Sequence, residues 1–116
     1  MKNRDLPSMY RHSVLISQDA IDANGHANNV EYLRWMQDAA VGHADATGCT
    51  DVTRKVGASW VVRSHQIEYL QPAFAGDRLV VCTWVSNLRK ASSLRKYLLL
   101  RETDHAVIAV KLTGYS

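Results

Sequence analysis

The sequence predicts an α+β fold in which one long helix lies against a five-stranded antiparallel sheet. Three observations carry that expectation. A single stretch shows helical apolar spacing, the other structured runs are β-like, and the later runs follow one another through mostly short connections. With 116 residues the chain makes one domain, 1–116. A domain of this size buries somewhat under about 70% of its unfolded surface, so its core is thin and a subunit partner would help.

The first strand is expected from Arg11 to Ser17, where Val14 and Ile16 alternate with polar neighbours. A polar, turn-rich passage follows from Gln18 to Asn29. From Asn29 to about Thr47 the period changes. Val30, Leu33, Met36 (or its neighbour Gln37), Ala40, Val41 and Ala44 recur at three- and four-residue steps, which predicts one apolar helix face. Asn28 fits the N-cap, Glu31 stands where a capping-box acid belongs, and Gly48 fits the stop. Gly42 inside the helix should cost about 1 kcal/mol relative to alanine, and it suits close approach to a strand.

Four strands are expected afterwards, at Ser59 to Leu70, Arg78 to Leu88, Ser92 to Glu102, and Ala106 to Tyr115. Turn signals at Gln71 to Asp77, Asn87 to Ala91 and Thr103 to His105 separate them. The last strand alternates, with Ala106, Ile108, Val110 and Leu112 on one face and Val107, Ala109, Lys111 and Thr113 on the other. The second and third strands are apolar on both faces (Trp60, Val61, Val62; Val80, Val81, Cys82), which predicts central positions. One helix covers one sheet face, so a homodimer or homotetramer is expected to cover the remaining apolar surface.

Composition narrows the function. With 47% hydrophobic and 22% charged residues, the chain reads as a soluble globular protein. Its apolar runs fall far short of the roughly 20 residues of a membrane span. No secretory pattern opens the sequence, and Cys49 and Cys82 lie outside any CxxC spacing, so reduced thiols and a cytoplasmic location are expected. A net charge of +3 is too diffuse for nucleic acid and suits a small phosphate-bearing ligand.

The passage Asp22-Ala23-Asn24-Gly25-His26-Ala27-Asn28-Asn29 places a carboxylate just ahead of a helix N-terminus. The first N–H groups of a helix lack internal partners and favour negative charge. The Asn28 cap satisfies one N–H further in and leaves that of Asn29 for a substrate oxygen. An aspartate is ordinarily ionised near neutral pH. Asp22 could then attack a carbonyl carbon or take a proton from water.

The run IDANGHANNVEYLRW, residues 21–35, closely resembles the Asp-x-x-Gly-His-x-Asn-Asn-x-x-Tyr-x-x-Trp signature of the 4-hydroxybenzoyl-CoA thioesterase-like branch of the hotdog superfamily. Residues 61–81, VVRSHQIEYLQPAFAGDRLVV, resemble that branch's second strand, proline-bearing turn and third-strand opening. LRKASSL, residues 88–94, is similar to its basic hairpin near the coenzyme. The resemblance implies a single hotdog domain, its sheet wrapped around the helix, that hydrolyses acyl-CoA to free acid and coenzyme A. Asp22 would be the catalytic carboxylate and the Asn29 amide the donor to the thioester oxygen. Gly25, His26 and Asn28 would line the substrate, and Arg89, Lys90 and Ser92 would contact coenzyme phosphates. Neither a metal nor a separate cofactor is implied, because coenzyme A is part of the substrate. Ala20 departs from the pattern, since many relatives carry an aspartate there. The chain also ends sooner than many relatives do.

Plainer roles stand beside these. His26 could orient substrate or fix the turn, and Tyr32 and Trp35 suit packing. Asp38 reads as a solvated helix position, and His43 with Asp45 is too thin a pattern for a metal. The pairs Arg89-Lys90 and Arg95-Lys96 could be solvated hairpin charges. Arg63 could pair with Glu68 or face the coenzyme. Two other functions fit the fold: a non-catalytic acyl-CoA-binding protein, and a hydratase or dehydratase.

Overall fold

The computed structural model describes residues 9–47, 62–88 and 92–116. β1 (Tyr10–Leu15) leads through a 3-10 turn (Gln18–Ala20) to α1 (Asn29–Thr47). Then come β2 (Val62–Tyr69), β3 (Arg78–Leu88), β4 (Ser93–Arg101) and β5 (Val107–Tyr115). The strands form one sheet in the order β1-β3-β4-β5-β2, and every neighbouring pair is antiparallel. This is the hotdog arrangement that the sequence predicts. Gly48, Cys49, Trp60, Val61, Arg89 and Lys90 lie outside the described residues.

The helix sits over β1 and β3. Its buried stripe is Tyr32, Trp35, Met36, Ala39 and His43, spaced to face the sheet from one side. That corrects the expected face. Met36 is wholly buried, yet Val30, Leu33 and Val41 are exposed. The aromatic residues bury more area per position, so they take the sheet side and leave the aliphatic positions outward. The core closes with Ile16, Leu79, Val81, Tyr97, Leu99, Ile108 and Ala109.

Gly42 lies against β1. A Cβ there would stand 2.7 Å from the Tyr10 hydroxyl and 3.1 Å from its ring. Tyr10 also stacks on His43, one residue along, with ring centroids 5.4 Å apart.

A second correction concerns β2, which is an edge strand and not a central one. All of its residues are exposed except the half-buried Ile67. Its apolar neighbours in sequence did not reflect its place in the sheet, because only Val62, Ile67 and Tyr69 are apolar or aromatic within the strand itself. The link from β2 to β3 must therefore cross beneath β5 and β4. This crossover, residues 70–77, is held by Leu70 and Gln71 N–H groups donating to the Ile108 carbonyl, at 2.8 and 3.2 Å.

Candidate active site

The crossover meets the loop that carries Asp22. A bridge joins Ile21 to Ala27, and the Asp22 N–H donates to the His26 carbonyl at 2.8 Å. Gly25 turns the chain with φ of 82°, a conformation that side-chain-bearing residues rarely adopt. The Ala27 N–H then donates to Ala73 of the crossover, and the Asn28 N–H donates to Ala20, both at 2.8 Å. These bonds fold the loop back, so Asp22 stands beside the start of α1.

The Asp22 carboxylate is half-buried. Its Oδ1 accepts from Asn24 N–H at 2.9 Å and, more weakly, from His26 N–H at 3.4 Å. Among the described residues nothing donates to Oδ2, which leaves that oxygen for a reacting group. Asn28 caps the helix, its Oδ1 accepting from Val30 N–H at 3.0 Å. The reciprocal half of a capping box is absent. The Asn28 N–H already serves Ala20, and the Glu31 carboxylate turns toward Arg34 at 3.8 Å. Among the described residues the Asn29 N–H has no acceptor.

Tyr32 and Trp35 are buried and in contact, with ring centroids 5.6 Å apart. Tyr32 also meets Tyr69 of β2 at 5.6 Å. Burial pushes the Tyr32 hydroxyl above its ordinary value, with the nearby Asp22 charge adding to that rise. The His26 ring packs edge-on against Phe74, at 5.4 Å and 78°. It joins the loop to the crossover as well as closing the turn through its backbone.

Arg101 secures the crossover from β4. It donates to the Pro72 carbonyl at 3.0 Å, to Asp77 at 3.3 Å and to Asp104 at 3.1 Å. Sequence spacing gave no sign of this residue, since an arginine closing a strand is ordinary surface chemistry.

The other candidates fall elsewhere. Ser92 is exposed at the far end of β3 from the crossover. Eleven residues of β3 separate the two ends, which at about 3.3 Å each makes over 30 Å. One chain therefore does not bring Ser92 to its own Asp22. Arg63 donates to Ser116 Oγ at 3.1 Å and makes no pair with Glu68. Arg95 is not a solvated hairpin charge. It turns inward and donates to His43 Nδ1 at 2.9 Å and Thr83 Oγ1 at 3.2 Å. Asp38 and Lys96 are exposed. Cys82 is buried, and burial raises its thiol pKa against an opposing pull from Arg11.

A cavity of about 300 Å³ is bordered mainly by residues of the sheet face turned away from the helix, Gln66, Glu68, Trp84, Leu98 and Leu112 among them, and Tyr97 and Lys111 also reach its lining. Asp22 lies on the opposite side of the sheet and takes no part in it.

A family model described as the thioesterase-like superfamily matches residues 16–114, nearly the whole described fold. The chain belongs to that superfamily. Solved structures agree on the fold. A 1,4-dihydroxy-2-naphthoyl-CoA thioesterase from Synechocystis superposes with a TM-score of 0.81 at 16% identity, covering 93% of this chain and 80% of that one. YbaW, a probable thioesterase from Escherichia coli, gives 0.86 at 20% identity, covering 91% and 80%. A probable thioesterase from Bartonella henselae gives 0.81 at 18% identity, covering 94% and 90%. A search of curated proteins found no match. For this thioesterase-like chain, the reaction class that the superfamily's name carries is thioester hydrolysis.

Proposed function

We propose that the protein hydrolyses acyl-CoA thioesters at the Asp22 loop, giving a carboxylic acid and free coenzyme A. The observation that carries this reading is the folded-back loop. It sets a carboxylate with one unengaged oxygen beside a helix start whose Asn29 N–H has no acceptor. A thioester carbonyl seated on that N–H would gain negative charge where the helix dipole favours it. Asp22 acts there as nucleophile or base. As nucleophile, its oxygen bonds to the carbonyl carbon, the C–S bond breaks, and coenzyme A leaves as thiolate. Water then cleaves the anhydride and regenerates Asp22. As base, it takes a proton from the water that attacks the same carbon.

The working unit is a homo-oligomer. Val30, Leu33 and Val41 on α1 and Val62 and Tyr69 on β2 are exposed, which supports a subunit contact along the helix and sheet edge. Arg89, Lys90 and Ser92 are the proposed contacts for coenzyme phosphates, and for Ser92 the distance along β3 means that it would serve the Asp22 of another copy. A cytoplasmic location fits the absence, among the described residues, of any helix long and apolar enough to cross a membrane.

Thiol release from a panel of acyl-CoAs tests the activity. Hydrolysis of at least one member, lost in Asp22→Asn, is the expected result. Tight binding without turnover would identify a binding protein. Loss of the double bond of crotonyl-CoA without thiol release would identify a hydratase.

A further inference from the structure

On the helix side of the sheet, beside the Asp22 site, lies a cluster of basic side chains that pair with no acid among the described residues. Lys111 is its centre. The residue is only 7% exposed, and its Nζ stands 4.9 Å over the Tyr97 ring. Ion pairs among the described residues join Arg34 to Glu31 and Arg101 to Asp77 and Asp104, and none reaches Lys111 or Arg95. Arg95 bonds to His43 Nδ1 and Thr83 Oγ1, and no carboxylate among the described residues pairs with its guanidinium. His65 holds Thr113 Oγ1 at 3.0 Å and lies close enough to Lys111 to feel its charge.

Burying most of a lysine with only an aromatic ring beside its ammonium group is expensive, and methionine or leucine at the same place would normally be more stable. Desolvation alone pulls the Lys111 pKa below its ordinary value. The cost points to something that arrives from outside. Strand register says where it would come from. Tyr69, which touches Tyr32 beside Asp22, pairs with Ala109. Lys111 is two positions further along the same face, about 7 Å away, and pairs with Ile67 and Tyr97. Arg95, Thr113 and His65 form the next row. The helix packs on β1 and β3, so the β5–β2 part of this face lies beside it, with Tyr69 and His65 exposed along the way.

We infer that Lys111, backed by Arg95 and rimmed by His65, receives a carboxylate at the far end of the acyl chain. The preferred substrates are then CoA monothioesters of medium-length dicarboxylic acids. This rests on the reading of Asp22 as the hydrolytic site, which places the thioester near Tyr32 and the free carboxylate one to two rows further along.

The test compares adipoyl-CoA with hexanoyl-CoA, which differ only in the terminal carboxylate. The parent should show the higher kcat/KM for adipoyl-CoA, and Lys111→Met should lower the adipoyl-to-hexanoyl ratio by about tenfold or more, as for a lost buried charge pair. Adipate should also raise the melting temperature of the parent more than hexanoate does, and this difference should vanish in Lys111→Met. If the variant does not fold, the parent's ratio and its response to adipate decide. Efficient hydrolysis of hexanoyl-CoA with no preference for adipoyl-CoA and no adipate shift would overturn the inference while leaving the hydrolase reading intact. If no thioester is hydrolysed, that reading fails. A Lys111-dependent adipate shift would then still support the carboxylate site, and its absence would overturn the site as well.

Discussion

Replacing Asp22 with asparagine removes charge and basicity while leaving shape almost unchanged. The fold should hardly notice. Asn24 and His26 donate to Oδ1, and an amide oxygen placed there accepts from both. The unfolding free energy should therefore move by no more than about 0.5 kcal/mol, as for an undemanding surface substitution. Catalysis should respond differently, because an amide can neither accept the proton nor attack efficiently. A loss of about 10²–10⁴-fold is expected for such a group, or about 3–5 kcal/mol of transition-state stabilisation. Asp22→Ala separates the two effects, since it also strands the Asn24 and His26 N–H groups and should cost up to about 1 kcal/mol of stability. Single-turnover thiol release, read alongside thermal unfolding of both variants, measures both quantities. An Asp22→Asn enzyme within a few-fold of the parent would refute the assignment. So would a loss of activity that tracks a loss of fold.

Gly42→Ala should destabilise despite the helix-propensity gain of about 1 kcal/mol, because the new Cβ meets Tyr10 at 2.7 Å; a higher melting temperature would contradict the close approach. His105 carries φ of 59° at the turn before β5, where a non-glycine residue costs about 1–2 kcal/mol. His105→Gly should therefore be neutral or stabilising in denaturant titrations, in contrast to His105→Val. Burial lowers the Lys111 pKa below 10.5, so the unfolded chain binds that proton more tightly than the folded one. Stability should then rise as pH climbs through the folded pKa toward 10.5, and Lys111→Met should remove this contribution from the pH profile. Asp104 has its carboxyl pKa held low by the Ala106 N–H and then by Arg101. Its stabilising contribution is present above the ordinary carboxylate pKa and is lost as pH falls through the depressed one; Asp104→Asn should shrink the acid limb of unfolding.

Much of this fold could be read from periodicity, because strand and helix periods depend on local steric rules. β3 falls where its apolar run and flanking turns place it, and α1 begins at the residue after the Asn28 cap. Which way a face turns was harder to read. On β5 Val110 and Leu112 look away from the helix side, while Ala109, Lys111 and Thr113 are buried on the face that the helix shares. Hydrophobicity alone would have chosen the opposite side. The edge position of β2 was also hidden, because sheet order depends on a crossover whose path leaves no local pattern. In the site, Asp22, Gly25 and Asn28 stood out through their motif. Arg101, Tyr69 and Ala73 did not, since the contacts that tie them to the loop and the crossover span 24 positions of chain or more. Lys111 offered one signal, a charge inside a strand made mostly of apolar residues.

The clamp around Asp22 has a consequence for how such a protein can diverge. The bonds that position the carboxylate run from Asp22 to His26, Ala27 to Ala73, and Asn28 to Ala20, and all are made by main-chain atoms. Any non-proline residue supplies the same donors and carbonyls. Side-chain type is constrained at the Gly25 turn, the Asn28 cap, the His26 ring on Phe74 and the buried Ala20 and Ala27, while Ala23 and Asn24 project into solvent. Mutation can therefore rewrite the solvent-facing letters of the loop while the acid keeps its place. Such an architecture tolerates wide drift in sequence without surrendering its reaction geometry. Selection is free to act on the surfaces that choose the substrate.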